Sequence, residues 1–118
     1  MTSTEIIDRY CQVWAETDVE ARENLLSTVW AENATYIDPF VLELNANQLV
    51  THIGTVQVNR PGIKVLRATP VDEHHNFARF GFQVIGSDGT LLREGLDVVF
   101  FSADGQKIER IVGFFGSL

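Results

Sequence analysis

At 118 residues, the chain has the length of one domain and should bury roughly two-thirds of its unfolded surface. Its 45% hydrophobic and 21% charged residues exclude a disordered reading. The formal net charge of -7, with nine Lys and Arg residues scattered along the chain, lacks the basic stripe that a phosphate backbone requires, so no nucleic-acid partner is expected.

No apolar run approaches the roughly 20 residues of a membrane helix, and Met1 to Glu16 lacks the basic and apolar regions of a signal peptide. The expectation is a cytoplasmic protein without membrane contact. The single cysteine, Cys11, cannot form an internal disulfide and reads as a small buried hydrophobe.

Thr2 and Glu5 have capping-box spacing, and Ile6, Tyr10, Val13 and Trp14 follow at helical intervals, which predicts a helix from about Ser3 to Glu16. Thr17 and Glu20 repeat the box before a second helix, whose apolar stripe is Leu25, Leu26, Val29 and Trp30. Ala34 to Asp38 reads as a short strand stopped by Pro39. Asn45 or Asn47 caps a third helix with Leu49, Ile53 and Val56 on one face, ended by Arg60-Pro61-Gly62.

From Ile63 the pattern turns to strands: Ile63 to Thr69, Asn76 to Ile85, Leu91 to Phe101 and Gln106 to Phe115. Ser87-Asp88-Gly89 and Ala103-Asp104-Gly105 are hairpin signals, so the last three strands should form an antiparallel meander. Helices first and hairpins afterwards is an α+β order, with no linker or repeat to divide residues 1-118 into more than one domain. Leu96 to Phe101 and Ile108 to Phe115 are apolar on both alternating faces. Three short helices cover only one face of such a sheet, so the other should pack against a second copy in a homodimer.

This order resembles the nuclear-transport-factor-2-like superfamily, which includes ketosteroid isomerases and polyketide cyclases of the SnoaL type. The resemblance covers nearly the whole chain. It rests on Arg9-Tyr10, on Ala34-Thr35-Tyr36-Ile37-Asp38-Pro39, and on the stretch from Leu96-Asp97 through Asp104-Gly105 to Gly113-Phe114-Phe115-Gly116. It implies a cone, with N-terminal helices packed on a curved antiparallel sheet that encloses a pocket for a small apolar ligand or substrate. It also implies that Trp14, Val99, Ile111 and Phe115 line that pocket.

Ketosteroid isomerases carry a helix tyrosine, an aspartate before a proline and an aspartate in the penultimate strand, matched here by Tyr10, Asp38 and Asp97. The resemblance makes Asp38 the base of a cofactor-free isomerase, and Tyr10 and a neutral Asp97 the donors to the enolate oxygen. Two other roles remain open for the fold: polyketide-type cyclisation, and a non-catalytic module that binds an apolar ligand or serves in assembly. Asp38 then only initiates a turn.

Asp97, flanked by Leu96 and by Val98 to Phe101, should be buried and must either find a partner or stay protonated. A three-residue loop at Ala103-Asp104-Gly105 sets Asp97 opposite Ile111, with Glu109, Gly113 and Phe115 on its face. A two-residue turn instead puts Arg110, Val112 and Phe114 there, and Arg110 holds Asp97 ionised. Epoxide hydrolases of the limonene type share the fold but need an arginine where this chain has Gly95. No metal is expected: His52 stands alone, and His74 and His75, adjacent in or near a strand, should point to opposite faces.

Overall fold

A computed structural model of the chain describes residues 1–117. Helix α1 (Ser3–Val13) starts as expected, with Thr2 and Glu5 capping each other reciprocally. Its expected last turn is not α-helical, because Trp14, Ala15 and Glu16 bond back three residues instead of four. Helix α2 (Val19–Ser27) is capped not by Thr17 but by Asp18, whose carboxylate accepts from the Ala21 amide at 2.9 Å. Aspartate is the better cap of the two. The helix ends before Val29 and Trp30, which are buried beyond it.

Strand β1 (Trp30–Asp38) begins at Trp30 and folds back into β2 (Val41–Leu44), a hairpin the sequence pattern does not signal. Asp38 makes the turn, with Oδ1 accepting from the amides of Phe40 at 2.8 Å and Val41 at 3.2 Å. Asn45 and Gln48 form the capping box of α3 (Ala46–Asn59). That helix stops at Arg60 ahead of Gly62, whose φ of 80° suits glycine.

The remaining strands are β3 (Lys64–Arg67), β4 (Asp72–His74), β5 (Phe77–Ile85), β6 (Leu91–Phe101) and β7 (Ile108–Phe115). The sheet order is β2-β1-β7-β6-β5-β3, with β4 also paired to β5. Pairing is antiparallel except between β1 and β7. This is the expected α+β architecture, and irregularities where β2 pairs with β1, where β6 pairs with β5 and in the last hairpin bend the sheet.

The last hairpin adopts neither expected register. Asp97 lies opposite Gly113 and Val99 opposite Ile111. Phe100 pairs with Arg110 but Phe101 with Ile108, which leaves Glu109 as the extra residue of a bulge. The loop is longer than either turn considered, because the Asp104 carboxylate gathers the Ser102 hydroxyl at 2.7 Å and the Gln106 amide at 3.0 Å. Asp97 therefore shares the inner face with Ile111, Gly113 and Phe115, while Arg110 faces outward and pairs with Glu43 at 3.0 Å.

The helices cover the inner face. The core there runs from Ile6, Ile7 and Tyr10 of α1 through Leu49 and Ile53 of α3 to Phe80, Val99 and Ile111 of the sheet. On the outer face Phe77, Phe100 and Phe114 stay half-buried or exposed. Among the described residues, no helix is long and apolar enough to cross a membrane.

Candidate active site

A cavity of about 260 Å³ opens between α1, α3 and the concave face of the sheet, and Tyr10, Trp14, Asp38, Asp97 and Phe115 all line it. Tyr10 and Trp14 come from the C-terminal half of α1 and its cap, Asp38 from the end of β1, and Asp97 and Phe115 from β6 and β7. The other two residues expected on the wall do not line it. Val99 and Ile111 are fully buried in the core, because the inner face of β6 and β7 is sealed by helix side chains at their level.

Glycine gives the Asp97 carboxyl its room. A Cβ on Gly113 would lie 2.9 Å from Asp97 Oδ1 and 3.4 Å from Asp38 Cβ, so both side chains border the space that the missing side chain leaves. Asp97 is only 5% exposed and has no side-chain hydrogen bond within the described residues. Burial, and then the negative charge of Asp38, push its carboxyl up to about 8. At neutral pH Asp97 is therefore mainly the neutral acid, an O–H donor in an apolar wall.

Asp38 has the opposite surroundings. Besides the two turn amides, its Oδ2 accepts the Tyr36 hydroxyl at 2.6 Å. A carboxylate offers about four acceptor positions; three are taken, which leaves one for a proton from another source. Tyr36 and Tyr10 both stay phenolic, since burial foremost, and then neighbouring acidic groups, push their hydroxyls well above the ordinary range. The Tyr10 ring stacks on Trp30 with centroids 6.1 Å apart, and Trp14 lies against Tyr36 at 5.9 Å.

Sequence reasoning missed Tyr36, although the signal was there: two residues before Asp38 on one strand, it must share that residue's face. It also missed His52 of α3, which meets Trp14 edge to face at 6.0 Å, and Arg60 and Arg93, all three lining the cavity. Gly95, where the epoxide hydrolases carry arginine, has no room for any side chain. A Cβ there would meet the Phe114 carbonyl and the Phe82 ring.

His74 and His75 do not point apart as expected. β4 ends at His74, and His75 and Asn76 form a two-residue turn with φ of 50° and 66°, which sets the two Nδ1 atoms 3.0 Å apart. Among the described residues, no group of three or more His, Cys, Asp or Glu side chains is placed to hold a metal ion.

No family model and no curated protein matches the chain. Solved structures do. A protein from Agrobacterium tumefaciens, named provisionally as an isomerase of the SnoaL-like family, is 32% identical over 97% of both chains, with a TM-score of 0.87. An NTF2-like protein of unknown function from Exiguobacterium shares 22% identity, with a TM-score of 0.68 over 96% of this chain and 99% of that one. A Catenulispora acidiphila protein with a ketosteroid isomerase-like fold, solved with trimethylamine, matches at 13% identity and a TM-score of 0.74, covering 98% of this chain and 88% of its own. The last two show the fold alone, which is NTF2-like, whereas the identity and coverage of the first carry further: the chain belongs to the SnoaL-like family.

Proposed function

We propose that the cavity is the active site of a cofactor-free acid–base enzyme that moves a double bond into conjugation with a carbonyl group. The observation that carries this reading is the pairing, across Gly113, of a hydrogen-bonded Asp38 with a neutral, unpartnered Asp97. A carboxyl kept neutral by burial beside one that accepts hydrogen bonds can serve as the acid while the other serves as the base.

Asp38 takes the proton from the carbon between the carbonyl and a β,γ double bond. The C–H electron pair becomes a double bond between that carbon and the carbonyl carbon, the carbonyl π electrons move onto oxygen, and the α,β double bond forms only when the carbonyl returns. The resulting dienolate oxygen accepts hydrogen bonds from the Tyr10 hydroxyl and the Asp97 carboxylic acid. Asp38 then returns its proton to the γ carbon, the carbonyl re-forms, and the enzyme ends as it began. The volume of about 260 Å³ lies just below the roughly 300 Å³ at which pockets for drug-sized ligands begin, which favours a one- or two-ring substrate.

The test is turnover of small β,γ-unsaturated ketones, followed by absorbance of the conjugated product. Wild type should exceed a matched carboxylate buffer, and Asp38→Asn should not. Loss of either oxyanion donor, in Tyr10→Phe or Asp97→Leu, should cost about 2.7–4 kcal/mol of barrier.

One observation favours a second reading. Asp38 also builds the β1–β2 turn, and a purely structural Asp38 would leave the cavity a binding site without chemistry. Cyclisation of the polyketide type uses the same base and differs only in the electrophile.

The reading extends to a homodimer. Among the described residues, no helix covers Phe77, Phe100 and Phe114 on the outer face, and Arg79 and Arg110 there are neutralised by Asp72 and Glu43. A second copy would meet that apolar face with Arg79 and Arg110 already paired.

A further inference from the structure

The cavity is acidic at its floor and cationic among its outer lining residues. Arg93 of β6 points to the same face as Asp97, four residues earlier on the strand. Its guanidinium carbon lies 4.3 Å from the centroid of the Phe115 ring and 5.1 Å from that of Phe40, and those two rings touch each other at 5.4 Å. Stacking of this kind fixes the plane of the guanidinium while leaving its N–H edge available. Within the described residues that edge has no ion-pair or hydrogen-bond partner. Arg60, at the C-terminal end of α3, lines the same cavity and likewise has no carboxylate partner.

This is unusual in a chain of net charge -7. Arg67, Arg79 and Arg110 are each paired with an acid, Arg22 is consumed by carbonyls and by Gln57, and of the other three arginines only Arg9 lies away from the cavity. The two arginines left without an acceptor at this cavity are matched by no acidic side chain among its lining residues other than Asp38 and Asp97.

We propose that the site is built for a small apolar carbonyl compound that also carries a carboxylate. The carbonyl end lies at Tyr10 and Asp97, and the carboxylate is held by Arg93, with Arg60 adding charge. The spacing is a ruler. Phe115 pairs with Gly95, two residues from Asp97, so a guanidinium stacked on Phe115 sits roughly 7 Å along the strand from the acid. One ring with a short acidic arm spans that distance. A planar fork on Arg93 presents paired N–H groups to both oxygens of a carboxylate.

The proposal rests on the cavity being the ligand site of the acid–base reading, yet its test reads binding and not turnover. The probes are 3-(4-hydroxyphenyl)propionate and its primary amide, whose phenol oxygen mimics an enolate oxygen. Each is titrated by calorimetry into wild type, Arg93→Gln, Arg60→Gln and the double variant. Because both arginines are solvent-exposed, these variants should fold.

Wild type should bind the acid about tenfold or more tighter than the amide, as a charge-assisted bond implies. Arg93→Gln should lose most of that preference, weakening the acid far more than the amide, and raising the salt concentration should narrow the preference in wild type. Equal binding of acid and amide, a preference that survives in the double variant, or no binding of either probe at millimolar concentration overturns the proposal. If the acid preference depends on Arg93 but no ketone is isomerised, the catalytic reading fails and this one stands. If neutral ketones are isomerised while acid and amide bind alike, the reverse holds.

Discussion

Gly113 stands directly opposite Asp97 in the last hairpin, and the hydrogen in place of its side chain is what admits the Asp97 carboxyl to the space beside Asp38. With one more methyl group at position 113, the Asp97 carboxyl would have to move, while Asp38 Cβ would be in ordinary contact. Gly113→Ala should therefore destabilise the chain by about 1–3 kcal/mol through overpacking. Urea denaturation checks this. A variant as stable as wild type would mean that the Asp97 carboxyl is not packed against residue 113.

Asp97 should make stability fall as pH rises. Its folded-state value of about 8 lies above the ordinary 3.8, so between these limits the native chain holds a proton that the unfolded chain has released. Stability is then full below about pH 4 and declines towards pH 8, with a slope approaching about 1.4 kcal/mol per pH unit from this group. Asp97→Asn should remove that component and gain on wild type above neutral pH. Thermal melts of both proteins from pH 4 to 9 decide it, and parallel curves would contradict a raised Asp97.

Tyr36 and Asp38 should behave as a coupled pair. Removing a hydroxyl that donates to a carboxylate typically costs about 1.5–3 kcal/mol, so Tyr36→Phe should lose stability in that range when Asp38 is intact. In an Asp38→Asn background the loss should shrink. A double-mutant cycle in urea with no coupling energy would show that the 2.6 Å contact contributes nothing to the fold.

Much of this arrangement was legible in the residues. The helix caps at Thr2 and Asn45, the two glycine turns of the meander and the closing Gly113–Gly116 stretch indicated the architecture. The Asp-Pro and buried-aspartate signals drew attention to Asp38 and Asp97. Two things were not legible for physical reasons. The register of the last hairpin depends on how the Asp104 carboxylate gathers its loop and on a bulge at Glu109, and turn residues alone do not encode a bulge. The level at which the helices seal the sheet decides that Val99 and Ile111 are core and that Arg93 reaches the cavity, and this depends on long-range packing. Tyr36 was different, since strand periodicity alone places it beside Asp38.

Assembly is checked through the outer face. Phe114 is 55% exposed in the single chain, so Phe114→Lys should cost the protomer little, within about 0.5 kcal/mol. It should also convert a dimer to a monomer in light scattering at micromolar concentration. A wild type that is already monomeric under those conditions would contradict the dimer.

Proton abstraction beside a carbonyl is the central claim, and it can be observed without knowing the natural substrate. A small cyclic ketone is incubated with the protein in deuterium oxide, and loss of its α-proton signal is followed by NMR. Wild type should wash out the α-protons faster than acetate buffer at equal carboxylate concentration, and Asp38→Asn should bring the rate down to that of buffer while still binding the ketone. Exchange in wild type no faster than in buffer, or undiminished in Asp38→Asn, would show that Asp38 is not a base and that the cavity only binds.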